Sequence, residues 1–322
     1  MDTVKSNGHP VLLALRALKL GDLLVAVPAL RGLRRAFPEH RILYAAPGWI
    51  AEALELVGGI DHLPTPGLDD PLTIAPGVVD VAVNLHGNGP ESRQRIDELN
   101  AGRVLAHSSP ELDGLPALEG PEWTTGLHER ERWTRLLNWH GIDADPLDFR
   151  LHRPSVPSPR PGATVIHVGA AYGSRLWPVE RFADVASELA AAGHDVVFTG
   201  GTSERGRAEE TAALARLKGA NLDDGVLAGR QGLAEFAATI AEARLVVSAD
   251  TGAAHLASAY VRPSVVLFGP APAEEWGPPP GPHKVLTAVE LRRGDVFAAD
   301  PDPALLAVGV RDVLDAVDEL GC

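Results

Sequence analysis

The sequence predicts an α/β fold in two halves, each an open, largely parallel sheet covered by helices. Short apolar runs alternate with stretches of helical spacing, the pattern of strand-helix-strand units. The alternation breaks once, at a proline-rich stretch, and then restarts. At 322 residues the chain is longer than one core usually supports, so two domains of ordinary size are expected.

The first strand is VLLALR, residues 11 to 16. A turn at Gly21-Asp22 leads into a segment where Leu30, Leu33 and Phe37 recur at helical spacing while Arg31, Arg34 and Arg35 fall on other faces. RILYAAP (41 to 47) and VDVAVNLHG (79 to 87) read as further strands, and HERERWTRLLNWHGI (128 to 142) as a helix closing the first half, residues 1–152. RPSVPSPRPG, residues 153–162, carries four prolines in ten positions and reads as a linker, since such a stretch cannot form a regular helix. In the second half, residues 163–322, ATVIHVG (163 to 169), HDVVFTGG (194 to 201), ARLVVSAD (243 to 250) and PSVVLFGP (263 to 270) read as strands. Helices are expected near 179 to 192, 204 to 218, 232 to 242 and 253 to 260. Ligands of open α/β sheets gather at the carboxyl ends of the strands, here also in the cleft between halves.

Composition narrows the function classes. Lys plus Arg is 29 against 43 Asp plus Glu, a formal charge of -14, which argues against a nucleic-acid polymer as partner. The lone cysteine, Cys322, allows no intramolecular disulfide and no cysteine-based metal cluster, as in a reducing compartment. The first ten residues lack the apolar core of a signal peptide, and no run of about 18 apolar residues follows. A cytoplasmic protein is expected, with peripheral contact at the inner face of a membrane left open.

Three clusters carry chemistry. In SADTGAAHLASA, residues 248 to 259, Asp250, Thr251, Gly252 and His255 stand where a buried strand meets a helix. The helix's first N–H groups and positive dipole end favour a diphosphate; Thr251 and His255 can donate to it, and Asp250 can orient the turn or hold a ligand hydroxyl. Equally, Asp250 or Thr251 serves as a plain helix cap. In HVGAAYGSRLWPVERF, residues 167 to 182, Arg175 can pair with phosphate or lie exposed, and Trp177 reads as packing. In LRALKLGDLLVAVPAL, residues 15 to 30, Asp22 is a candidate general base or else a first-turn helix acid, and Arg16 and Lys19 either assist an anionic substrate or are solvated. Glu204, after GGTS, is placed for a ribose hydroxyl or for a helix start. His86 faces an acceptor or is structural, His128 reads as a helix-surface residue, and the three arginines at 31, 34 and 35 read as a solvated face or as contacts to an anionic lipid headgroup.

Taken together these pieces resemble the ADP-heptose:lipopolysaccharide heptosyltransferase family, glycosyltransferase family nine. The resemblance rests on LxxxRxxxLGDxxxxxPAL at Leu12 to Leu30, WPxERF at Trp177 to Phe182, SxDTGxxHLASA at Ser248 to Ala259, and LFGP and WGP at Leu267 to Pro270 and Trp276 to Pro278, in the family's order. It implies the GT-B architecture, two Rossmann-like domains facing an interdomain cleft. It implies an inverting transfer of heptose or a related sugar, with no metal or other cofactor required, from a nucleotide diphosphate sugar such as an ADP-linked one. The acceptor would be a hydroxyl of a cell-envelope or other glycan or glycolipid. Asp22 then matches the catalytic base, and Asp250, Thr251, Gly252 and His255 the donor diphosphate site. Arg175 stands where the family often has lysine, which supports the cationic role but not an identical contact. A nucleotide-sugar epimerase of the same layout and a noncatalytic nucleotide-sugar-binding protein are the competing expectations.

Overall fold

The computed structural model describes residues 8–112 and 114–322. The chain divides into two compact units, Met1–His152 and Arg153–Cys322. Residues 153–162 form neither helix nor strand.

Unit 1 runs β1 (Val11–Leu15), α1 (Leu20–Ala36), β2 (Arg41–Ala46), α2 (Ala51–Val57), β3 (Asp61–Pro64), β4 (Val79–Asn84), α3 (Pro90–Asp97), β5 (Arg103–Leu105) and α4 (Glu129–Trp139). Its five strands are all parallel, in the order β3-β2-β1-β4-β5. Every residue of β1 is buried, as expected where helices cover both faces of a parallel sheet. Leu13, Leu15, Leu43 and Leu63 form the centre of one core.

Unit 2 runs β6 (Thr164–His167), α5 (Val179–Ala191), β7 (Val196–Thr199), α6 (Arg205–Leu217), α7 (Leu233–Ala241), β8 (Leu245–Ala249), α8 (Gly252–Ala259), β9 (Ser264–Leu267), α9 (Ala273–Trp276), β10 (His283–Leu286), α10 (Pro303–Ala307) and α11 (Val310–Leu320). These strands are also parallel, in the order β10-β9-β8-β6-β7. Its core packs Ile166, Trp177, Phe182, Phe198, Val247 and Leu305. Trp177 is packing, as the sequence suggests: its indole N–H donates to the Val308 carbonyl at 3.0 Å and its ring meets Phe182 edge-on.

Three strands lie outside the runs that hydrophobicity singles out: β3, β5 and β10. All are sheet edges of three or four residues in which only one residue or none is fully buried, so their sequences carry little apolar signal. The other edge, β7, is readable because its four residues are buried and a parallel bridge from Phe198 to Val226 covers its open side. No helix among the described residues is long and apolar enough to cross a membrane.

Candidate functional site

Each sheet has one point where the strand order reverses, between β1 and β4 in unit 1 and between β6 and β8 in unit 2. Such points open a crevice at the strands' carboxyl ends. The clusters named from the sequence lie there: Asp22 follows β1, Arg175 follows β6, and Asp250 to His255 follow β8.

In unit 1, the Arg16 side chain is buried, 1% exposed, directly after β1. Its Nε donates to the Asp22 carbonyl at 2.8 Å and its Nη1 to the Leu85 carbonyl at the end of β4. Its Nη2 donates to Asp22 Oδ1 at 3.1 Å and to Glu129 Oε2 at 3.3 Å. The guanidinium also lies over the Trp133 ring, 4.7 Å from its centroid. Arg16 is therefore not solvated, and its guanidinium is bonded throughout to groups of unit 1. Asp22 Oδ2 accepts the Lys19 backbone N–H at 3.1 Å, the reciprocal half of a capping box at the start of α1. The cap and the ion pair thus share one carboxylate, whose side chain remains 20% exposed.

Glu129 and Trp133 complete this cluster from α4. Glu129 Oε1 accepts from Arg132 Nε at 2.7 Å and Oε2 from the Trp133 indole at 3.0 Å. Sequence reasoning missed Glu129: the only signal is its spacing of three and four from Arg132 and Trp133, which puts all three on one helix face. Beside them, His86 Nδ1 accepts the Ala17 N–H at 3.2 Å, so a neutral His86 carries its proton on Nε2. Burial, helped by Arg16, pushes His86 down to about 4. Tyr44, wholly buried on β2, has an unpartnered hydroxyl, and burial raises its pKa.

In unit 2, Arg175 and Asp250 form the centre. Arg175 Nη1 donates to the Asp250 carbonyl at 3.3 Å and stands 3.2 Å from Asp250 Oδ2, within ion-pair distance but without hydrogen-bond geometry. His255 Nε2 lies 3.6 Å from Asp250 Oδ1. Asp250 is almost wholly buried, with 4% of its side chain exposed, while Arg175 keeps 25%. Thr251 occupies the N-cap position of α8, yet its hydroxyl makes no capping bond and is buried without a partner. Ser248 Oγ and Arg175 Nε are likewise buried and unpartnered. The capping alternative is thus not realised at Thr251: no side chain caps α8, and in its first turn the Ala254 N–H donates to the Thr251 carbonyl at 3.1 Å. The chain before Arg175 is pinned from outside: a Cβ at Gly173 would stand 1.6 Å from the Ala299 carbonyl oxygen, and Ser174 Oγ donates to the Val296 carbonyl at 2.8 Å.

Glu204 lies at the ends of β6 and β7, on the far side of β6 from β8. Its Oε2 accepts the Gly201 N–H at 2.5 Å, and its carboxylate covers Gly169, where a Cβ would sit 2.0 Å from Glu204 Cδ. The helix-start alternative for Glu204 is therefore realised, with the carboxylate held at the sheet edge. The remaining candidates have internal partners. His128 caps α4 through a bond from the Arg130 N–H to its Nδ1 at 3.1 Å. Arg31 and Arg35 both pair with Asp148, at 2.7 Å and 2.6 Å, and Arg34 donates to the Phe37 carbonyl. Among the described residues, no group of three or more His, Cys, Asp and Glu side chains is placed to hold a metal ion.

Two parallel α/β sheets flanked by helices match the GT-B architecture of two Rossmann-like domains. The pattern of glycosyltransferase family 9 (heptosyltransferase) matches residues 140–294 of this chain. Lipopolysaccharide heptosyltransferase 1 of Pseudomonas aeruginosa is 33% identical over 153 residues, which cover 45% of this chain and 41% of that protein. The chain thus matches about two fifths of that relative's length. The fold extends further. Escherichia coli ADP-heptose LPS heptosyltransferase II superposes over 96% of this chain and 98% of its own with a TM-score of 0.75 at 20% identity. A family 9 glycosyltransferase from Veillonella parvula covers 97% of each chain with a TM-score of 0.73, also at 20% identity.

Proposed function

We propose that the protein is an inverting, metal-independent glycosyltransferase that moves heptose or a related sugar from a nucleotide diphosphate sugar to a hydroxyl of a cell-envelope glycan or glycolipid. Residues 1–152 take the acceptor side, 163–322 bind the donor, and 153–162 link them. The observation that carries this reading is the set of buried polar groups without a hydrogen bond around the start of α8: Thr251 Oγ1, Ser248 Oγ, Asp250 Oδ2 and Arg175 Nε. Buried polar atoms are costly unless something bonds to them, and this set supplies hydroxyl and guanidinium donors beside a helix N-terminus, which suits a diphosphate.

In this reading Asp22 removes the acceptor proton while the hydroxyl oxygen bonds to the anomeric carbon from the face opposite the leaving group. The bond from that carbon to the diphosphate oxygen breaks, and its electron pair leaves with the diphosphate. Arg175 and the α8 N-terminus stabilise the departing charge, a role in which fixed dipoles and cations are effective because they need no reorganisation. His255 and Gly252 line the diphosphate, and Glu204 holds a ribose hydroxyl.

The test joins a calorimetric screen of ADP-, GDP-, UDP- and dTDP-linked sugars with acceptor-dependent release of the nucleotide. Asp22→Asn is expected to keep donor binding and to lose about 10²- to 10⁴-fold in transfer, the range of general-base contributions. Epimerised sugar formed without acceptor, or transfer undiminished in Asp22→Asn, would remove the transferase reading or the base assignment respectively.

A further inference from the structure

We propose that Glu129 is a positioning residue for Asp22: by sharing the Arg16 guanidinium, it keeps the Asp22 carboxylate a competent proton acceptor. The proposal rests on the reading of Asp22 as the base. A carboxylate paired one-to-one with a buried arginine is held in its charged form and is a weak base. Here Arg16 is divided between Asp22 Oδ1 and Glu129 Oε2, at 3.1 and 3.3 Å, and Glu129 in turn holds Arg132. Arg16, Arg132, Asp22 and Glu129 therefore form a neutral cluster of two cations and two anions. Deleting the Glu129 charge leaves Asp22 facing an undivided guanidinium and an excess positive charge.

The clamp is built to hold this arrangement. Trp133 carries Arg16 on its ring face and fixes Glu129 through its indole N–H, and Arg132 is braced by the Thr124 carbonyl at 2.7 Å and by the Trp123 ring. Other titratable groups around Asp22 are Tyr44 on β2, His86 after β4, Glu91 on α3, which acts on His86, and Lys19 on the same turn. Tyr44 and His86 are neutral near pH 7, so Glu129 is the anion that divides Arg16 with Asp22.

The experiment is a ¹³C-carboxylate NMR titration of Asp22 in the full chain, with the signal assigned by its loss in Asp22→Asn. Glu129→Gln is expected to lower the Asp22 midpoint by about one pH unit, a tenfold loss of proton affinity. Arg132→Gln, which removes a cation instead, raises the midpoint, and Glu129→Asp returns it toward wild type. Shifts of opposite sign are a signature that loosened packing does not produce. The acid limb of kcat/KM follows the same order. An unmoved midpoint in folded Glu129→Gln overturns the proposal; if that variant does not fold, an unmoved or lowered midpoint in Arg132→Gln overturns it. Midpoints that shift as expected while transfer stays indifferent to them support the clamp and remove Asp22 as the base.

Discussion

The charged groups of the unit 1 cluster are closed on one another, whereas the cluster of unit 2 is open. Around Asp22, all three guanidinium nitrogens of Arg16 donate, and both oxygens of Asp22 and of Glu129 accept. Around Asp250, four buried polar atoms have no hydrogen-bond partner, the Asp250 Oδ2 among them keeping only the ion-pair approach of Arg175. A closed network fixes a side chain in one orientation, as a proton acceptor requires; an open one loses stability in the free protein and recovers it when a ligand supplies the missing bonds. The wiring differs as well. Counting strands within each unit, the first orders them 3-2-1-4-5 and the second 5-4-3-1-2, yet both place the cluster where the order reverses.

The contrast breaks most visibly at Arg175. Arg175→Ala is expected to weaken donor binding about 10- to 100-fold, the worth of a charge-assisted contact of roughly 1.5–3 kcal/mol. Isothermal titration against the donor checks it, with Asp22→Asn as the unit 1 control; equal losses in both variants would dissolve the distinction between the clusters.

A smaller and more diagnostic effect belongs to Thr251→Val. Replacing an unpartnered buried hydroxyl by a methyl group leaves the free protein as stable or up to about 1 kcal/mol more stable, while donor affinity falls by a few-fold to about tenfold. Thermal unfolding with and without donor reads both signs in one series. A Thr251→Val variant that is less stable without donor would mean that the hydroxyl is bonded in the free protein after all.

The smallest effects concern buried histidines. Burial first, then nearby arginines, hold His86 and His107 at about 4, below the ordinary value of 6.5. The unfolded chain takes up these protons near pH 6.5 and the folded chain only near 4, so stability is full above 6.5 and declines as pH falls between those values. Although burial opposes it, hydrogen bonds from Arg31 and Arg35 lower Asp148, which adds a further loss in more acidic solution as that carboxylate protonates. His107 is caged by Trp123 and Trp133 with both ring nitrogens unpartnered, so His107→Phe flattens part of the decline. The same exchange at His167 in unit 2 breaks a 3.0 Å bond with Thr199 Oγ1 and lowers the unfolding temperature at neutral pH. Melting curves from pH 7.5 to 4.5 compare the two.

The fold class was legible because fully buried parallel strands such as VLLAL and LVVSA announce themselves as apolar runs ended by turn residues. The short edge strands β3, β5 and β10 were not, because only one face or neither is buried and the backbone pairing that defines them leaves no trace in residue type. Among the candidate site residues, Arg175, Asp250, Thr251, Gly252 and His255 could be named because strand-end loops are read locally, one strand at a time. Local reading stops where a group's role depends on its partner. For Asp22 it offered a general base or a first-turn helix acid and for Arg16 a substrate contact or solvent; it could not foresee that the Asp22 carboxylate joins a cap to an ion pair, or that Arg16 is buried against a carboxylate 113 positions away.

What the amino-acid sequence determined by itself is therefore the alternation of strand and helix, its interruption at residues 153–162, and the chemical groups that follow β1, β6 and β8. Periodicity and turn chemistry are properties of neighbouring residues. The tertiary structure alone decided which of those groups are satisfied: Arg16 by Glu129, Arg31 and Arg35 by Asp148, and Thr251 by no other group in the described chain. Hydrogen bonds and ion pairs between distant segments follow from strand order and helix packing, which bring together residues that no local pattern relates.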